Sequence, residues 1–254
     1  MNQKIALITG ATAGIGYETA ILLAQNKFNL IITGRRNDRL STIKEQLEAQ
    51  FGCKVMALNF DVRSKDETEK ALNSLPPEWK SIEVLINNAG LAAGLAPVNS
   101  ADVDDWEAMI DTNVKGLLYV TRTVSPWMIE RQSGHIINIS SIAGKEAYPN
   151  GSVYCGTKHA VAAISKAMRI ELMPSGIKVT TIAPGAVETE FSLVRFRGDE
   201  QKAKQVYKGF TALSGKDIAE TILFVLSRPA HVNIDDLLIM PTDQASARDF
   251  NRKS

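Results

Sequence analysis

The sequence predicts an α/β fold: a single doubly wound domain over residues 1–254, with a seven-stranded parallel sheet and helices on both faces. Three observations lead there. Seven short runs rich in Ile, Val and Leu recur along the chain, and near-continuous apolar runs suit parallel strands buried on both faces. Longer stretches with helical spacing separate the runs, which is the alternation that generates βαβ crossovers. No Pro/Gly/Ser linker, internal repeat or low-complexity tract divides the chain, and 254 residues suffice to bury one large core.

Taken in order, strands are expected at KIALIT (4–9), NLIITG (29–34), KVMALNF (54–60), IEVLIN (82–87), HIINIS (135–140), IKVTTIA (177–183) and DLLIM (236–240). Helices are expected over TAGIGYETAILLAQN (12–26), DRLSTIKEQLEAQF (38–51) and DDWEAMIDTNVKGLLYVTRTVSPWMIERQ (104–132). A further helix opens near VYCGTKHA (153–160) and runs to about residue 173. The last run, DLLIM, suits either a sheet edge or a subunit interface.

Composition removes several function classes. Lys and Arg number 29 against 28 Asp and Glu, a net charge of +1, and 44% of residues are hydrophobic. There is no basic excess for nucleic acid and no polybasic patch for a membrane. Cys53 and Cys155 make no disulfide framework, which fits a reducing compartment. His135, His159 and His231 lie too far apart for metal-ligand spacing, so no metal is expected. The apolar run at the N-terminus is too short for a signal peptide, and no run approaches a membrane span. A soluble, cytoplasmic protein is the expectation.

The first strand leads into TGATAGIG, with Gly10, Gly14 and Gly16 ahead of a helix. Glycines there let the backbone approach a pyrophosphate, and the helix N-terminus supplies free N–H groups. The spacing G-x-x-x-G-x-G differs from the usual G-x-G-x-x-G. After the second strand come Gly34, Arg35 and Arg36, then Asp38. An acid at this point would accept a bond from the ribose 2′-OH of NAD, whereas arginine accommodates the 2′-phosphate of NADP. Asp38 lies beyond the strand end and reads as part of a helix cap. Arg35 and Arg36 therefore point to NADP.

In VYCGTKHA, Tyr154 and Lys158 stand four residues apart, on one face of a helix. The pair alone is weak, and Cys155 beside it is a rival nucleophile. No His/Asn pair is evident to activate that cysteine. The remaining motifs decide the matter. TGxxxGxG, NNAG (87–90), ISSIAG (139–144) and YxxxK, in that order, resemble the short-chain dehydrogenase/reductase family over essentially the whole chain.

The resemblance implies a catalytic set of Asn113, Ser141, Tyr154 and Lys158. Ser141, not Ser140, is the serine thirteen residues before the tyrosine. It implies a cofactor cleft with Thr12 and Ile15 in the glycine turn and Asp61 and Val62 against adenine. Asn88, Ala89 and Gly90 would line it beside the sheet-steadying Asn87, and Pro184, Gly185, Val187 and Thr189 would meet the nicotinamide end. Tyr154 and Lys158 would also contact the cofactor, and Asn113 would hold a water linking the lysine to solvent. The chemistry fits these residue types. A free tyrosine has a pKa of about 10, and a nearby ammonium can lower it by roughly one to three units. Lys158 is expected to do so.

Further stretches, including EFSLVRFRGDEQKAKQVYKGF after Thr189 and the tail PAHVNIDDLLIMPTDQ, resemble the NADP-dependent 3-hydroxy acid dehydrogenase subgroup. That likeness implies L-serine, L-allo-threonine or 3-hydroxypropionate as substrates, oxidised at C3. Arg195, flanked by Val194 and Phe196, is the candidate for the substrate carboxylate, with Ser141 and Tyr154 on the 3-hydroxyl. Lys202, Lys204 and Lys208 read instead as a solvated helix. A broad carbonyl reductase or 3-oxoacyl thioester reductase would carry the same motifs. A non-catalytic NADP-binding relative would be expected to lose the tyrosine or the lysine. Relatives in the family are usually tetramers, which implies a homotetramer built on the helices near 102–131 and 152–173 and on the C-terminal strand.

Overall fold

The computed structural model describes residues 3–253. All seven expected strands are present and all pair in parallel. They are β1 (Ile5–Ile8), β2 (Asn29–Gly34), β3 (Val55–Asn59), β4 (Ile82–Asn87), β5 (Gly134–Ile139), β6 (Ile177–Pro184) and, after two short strands given below, β9 (Asp236–Ile239). Their order across the sheet is β3-β2-β1-β4-β5-β6-β9. The chain reverses direction between β1 and β4, and open α/β sheets bind ligands at that switch point, beyond the strand C-termini.

Helices cover both faces because successive side chains of a buried strand serve opposite layers. Ala6 and Ile8 of β1 pack with α1 (Gly14–Gln25), α2 (Asn37–Phe51) and α9 (Gly215–Leu226), through Leu23, Leu40, Ile218 and Ile222. Ile5 and Leu7 face the other layer, formed by α3 (Lys65–Asn73), α5 (Leu117–Arg131) and α6 (Ser152–Leu172), through Leu72, Val120, Val124 and Val161.

Three features depart from the sequence expectation. The helix expected over 104–132 begins at Val103 as α4 (Val103–Ile110) and passes through a π-helical segment, Asp111–Gly116, before α5. Such wide turns interrupt helices mostly at functional sites, and this one contains Asn113. The region after β6 forms a small excursion: β7 (Val187–Glu188), α7 (Phe191–Arg195), α8 (Glu200–Val206) and β8 (Leu213–Ser214). β7 and β8 pair to close its base. Asp38 lies inside the first turn of α2 and makes no side-chain cap. Among the described residues DLLIM forms a sheet edge, where β9 pairs with β6 alone and leaves Leu238 48% exposed. Among the described residues no helix is long and apolar enough to cross a membrane, and no three His, Cys, Asp or Glu cluster as metal ligands.

Candidate active site

The glycine turn is held open from below by the NNAG segment. Gly10 (φ +67°) and Gly14 (φ +54°) adopt the left-handed conformation that glycine takes without strain. A Cβ on Gly10 would stand 3.0 Å from Ala89 Cα, and one on Gly16 would stand 2.4 Å from the Gly10 carbonyl oxygen. The Asn88 side-chain amide donates to the carbonyls of Thr9 (2.9 Å) and Gly10 (3.1 Å). Thr9 Oγ1 in turn accepts from the backbone N–H of Asn88 and Ala89, each at 3.0 Å. Beneath them Asn87 donates to Thr121 and to Asn138, both at 2.9 Å, tying β4 to α5 and β5.

Above this turn lies a cleft of about 350 Å³ at the switch point. Of the residues expected to bind cofactor or substrate, Gly10, Thr12, Gly14, Ile15, Arg35, Arg36, Asp61, Val62, Asn88, Ala89, Gly90, Ser141, Tyr154, Lys158, Pro184, Gly185, Val187 and Thr189 line it. Gly16 does not; it packs against the turn from inside, where a side chain would not fit. Asn113 and Asp38 also lie outside the lining, and Arg195 belongs to a small adjoining cavity that shares Tyr154. The hydroxyls of Thr33 and Thr112, both lining the cleft, are buried with no partner among the described residues. A glycine-walled trough with spare hydroxyls and two arginines at one end fits a phosphorylated dinucleotide.

At the β2 end, Arg35 is 59% exposed and approaches Asp61 only to 3.8 Å. Asp61 is bonded instead by Arg63 (2.6 Å). Burial works against its charge, yet the Arg63 bonds and the nearby Arg35 hold the carboxyl below its usual value. Arg36 is less free than the sequence suggests: Nε and Nη2 donate to Thr12 Oγ1 (3.1 and 2.8 Å), and Nη1 donates to Glu190 (2.7 Å).

At the other end the catalytic candidates converge. Tyr154 and Lys158 occupy the first two turns of α6 and are 7% and 6% exposed. Lys158 Nζ donates to the Ile139 carbonyl (3.0 Å) and stands 5.9 Å from the centre of the tyrosine ring. Ser141 lies two residues beyond β5, where its Oγ accepts from the Ala143 N–H (3.1 Å) and it is near enough to Tyr154 to oppose the rise of its pKa in part. Asn113 serves the backbone: its Oδ1 accepts from Leu91 N–H (2.8 Å), and its Nδ2 donates to Leu91 O (2.8 Å) and Thr157 Oγ1 (3.0 Å). Its side chain thus fixes the loop after β4 against α6. Cys155 is a buried free thiol packed with Ala143 and Tyr154, a packing role rather than a nucleophilic one.

Electrostatics correct one expectation. Lys158 does not bring the phenol down in this cavity. Burial raises the Tyr154 pKa well above its usual value, the nearby Tyr148 adds to this, and Ser141 and Arg195 only partly oppose it. Burial also lowers Lys158 to about 8. Both groups lose hydration by burial, so each favours its neutral form. Tyr154 therefore keeps its proton at neutral pH, while Lys158 is drawn down toward physiological pH.

The excursion after β6 closes over this end. Arg195 Nε donates to Gly94 O (3.2 Å), and its guanidinium carbon lies 5.8 Å from the Tyr154 ring and 5.9 Å from the Tyr148 ring. Two residues later, Arg197 binds Asp102 (2.7 Å) and Asp105 (2.8 Å) at the start of α4. Tyr148, Glu190 and Phe191 were not named individually in the sequence, and Val194 only as a neighbour of Arg195. Glu190, Phe191 and Val194 lie in the stretch after Thr189 that the sequence did mark, and that stretch is the signal for them. For Tyr148 the sequence carries none.

The model of the short chain dehydrogenase family matches residues 4–199, and the chain belongs to that family. At the level of individual relatives, it is 48% identical over 244 residues to the NADP-dependent 3-hydroxy acid dehydrogenase YdfG of Salmonella typhi, covering 96% of this chain and 97% of that protein. It is 44% identical over 254 residues to the NADP-dependent 3-hydroxy acid dehydrogenase of Schizosaccharomyces pombe, covering 100% and 98%. Among solved structures it resembles the closed form of a serine dehydrogenase complexed with NADP+, at a TM-score of 0.91 and 46% identity over 96% of this chain and 97% of that one.

Proposed function

We propose that this dehydrogenase uses NADP to interconvert the 3-hydroxyl of small 3-hydroxy acids and the 3-oxo form, with L-serine, L-allo-threonine and 3-hydroxypropionate as the substrate type. The observation that carries the reading is Arg195, whose guanidinium lies 5.8 Å from the Tyr154 ring. A 3-hydroxy acid has a carboxylate two carbons from its reacting carbon. A cation set to one side of the acid/base residue suits that spacing, and arginine can take a carboxylate bidentately. The names of the relatives, NADP-dependent 3-hydroxy acid dehydrogenase and serine dehydrogenase, support the same substrate class and cofactor.

The bound nicotinamide would supply or accept the hydride. The residues here do the rest. Ser141 bonds the substrate oxygen as charge develops on it, and Tyr154 gives that oxygen a proton in reduction or takes it in oxidation. Its raised pKa suits the donor role directly. Oxidation needs the phenolate, toward which Ser141 and Arg195 act against the effect of burial. Arg35 and Arg36 would receive the 2′-phosphate. Oxidised serine or threonine is a β-keto acid, so loss of CO₂ afterwards needs no further catalytic group.

A homotetramer is part of the proposal. Leu118 and Ile129 of α5 and Ile170 of α6 are exposed apolar residues on the helices expected to assemble. Light scattering reading one chain mass would refute it. The functional test is a panel of 3-hydroxypropionate, L-serine, L-allo-threonine and an acetoacetyl thioester, each with NADP and NAD, on wild type and Arg195→Ala. The reading expects 3-hydroxy acids with NADP to be preferred, and Arg195→Ala to raise their KM by about ten- to a hundredfold, the loss of a charged hydrogen-bonded pair. Thioester preference, or an unchanged KM in the variant, would sink it.

A further inference from the structure

The arginines at the end of β2 already hold an anion of the protein's own. Glu190 Oε2 accepts from Arg36 Nη1 at 2.7 Å, and its Oε1 accepts from Arg39 Nη1 at 2.8 Å. Glu190 is separated from these residues by more than 150 positions and reaches them from the start of α7, across the mouth of the cleft it lines. The other edge of Arg36 is bound to Thr12 Oγ1, so Nη1 is the edge that Glu190 covers. Among the described residues Arg35 has no such partner beyond the 3.8 Å approach to Asp61.

We propose that Glu190 is a cofactor-specificity residue: its carboxylate occupies the Arg36/Arg39 pair and is displaced by the cofactor's 2′-phosphate. The inference rests on the reading of Arg36 as a 2′-phosphate ligand. A carboxylate bridging two guanidiniums is the chemical counterpart of a phosphate on the same donors. A ribose 2′-phosphate that takes Arg36 Nη1 must evict it, whereas a plain 2′-OH need not. Glu190 therefore lowers affinity for the phosphorylated cofactor alone, by the fraction of molecules in which the pair is self-occupied. It also leaves no uncompensated cation pair when the cleft is empty. Its own carboxyl, held below the usual value by these two arginines, stays ionised across the working pH range.

The test is direct binding, without turnover. Dissociation constants for NADPH, NADH, 2′-AMP and 5′-AMP are measured calorimetrically on the full chain as wild type, Glu190→Gln, Asp38→Asn and Arg36→Gln. Exposed ion pairs are individually modest, so Glu190→Gln is expected to tighten NADPH and 2′-AMP by about three- to tenfold and leave NADH and 5′-AMP unchanged. Asp38→Asn removes a nearby negative charge that is not bound to either arginine, and should change none of the four. Unchanged or weaker NADPH binding in Glu190→Gln, or equal tightening of NADPH and NADH, overturns the proposal. Arg36→Gln separates the two failures. If it erases the preference for 2′-phosphate while Glu190→Gln does nothing, only the Glu190 inference falls. If it leaves the preference intact, the underlying assignment of Arg36 falls as well.

Discussion

Replacing Lys158 with methionine gives a stability prediction that a surface or merely structural lysine would not. Lys158 is 6% exposed, and burial lowers its pKa from 10.5 to about 8. A lysine with a depressed folded pKa penalises the folded state fully below that pKa. The penalty is relieved as pH rises through 8 toward 10.5, because the unfolded chain then binds more protons than the native one. The shift corresponds to about 3 kcal/mol at pH 7 and about 1 kcal/mol at pH 9.5. Methionine removes this penalty but strands the Ile139 carbonyl that Lys158 Nζ bonds at 3.0 Å, a loss of roughly 2 kcal/mol that does not depend on pH. Cofactor-free Lys158→Met should thus be about 1 kcal/mol more stable than wild type at pH 7 and less stable at pH 9.5. Thermal or denaturant unfolding of both proteins at the two pH values, at one fixed protein concentration, reads the difference. A stability change of the same size at both pH values would refute the buried, titrating lysine.

Two further substitutions test the scaffold of the cleft. Asn87→Ala removes two buried hydrogen bonds and strands Thr121 and Asn138, so urea unfolding should show a loss of about 2–4 kcal/mol. A loss under about 0.5 kcal/mol would mean the network is not structural. Gly16→Ala puts a methyl 2.4 Å from the Gly10 carbonyl oxygen and 2.5 Å from Asn88 Nδ2. The glycine turn must shift to make room, at a stability loss of about 1–3 kcal/mol, and calorimetry should show NADPH affinity falling at least tenfold. Normal affinity would contradict the close helix–turn packing assigned to Gly16.

What the sequence revealed follows from which interactions are local. The five inner strands were readable because both faces of each are buried, which leaves a near-continuous Ile/Val/Leu signature, whereas β3 and β9 at the sheet edges are only partly buried and were readable from their short apolar runs. The glycine turn, Ser141 and the Tyr154/Lys158 pair were readable because their spacing is set by one turn, one strand end and one helix face. The π-helical segment at Asp111–Gly116 was not, since its residues have ordinary helical character and the wide turn is held by Asn113 bonding Leu91 and Thr157. Glu190 on Arg36, and Arg195 between Gly94 and the two tyrosines, depend on how the excursion after β6 folds back. No local pattern encodes that return. The raised phenol of Tyr154 was also hidden, because burial is a property of the assembled cavity, and it outweighs the helical proximity of Lys158.

The central claim is that Tyr154 moves the proton while the rest of the cleft holds the cofactor. Tyr154→Phe removes one hydroxyl from a ring that is packed against Phe191, with ring centres 5.9 Å apart, and leaves that packing intact. Steady-state oxidation of a 3-hydroxy acid, measured beside NADPH binding on the same preparation, is the decisive experiment. Turnover should fall at least a hundredfold, the usual scale of a lost general acid/base, while the NADPH dissociation constant stays within about threefold. Turnover near that of wild type, with NADPH still bound, would contradict it.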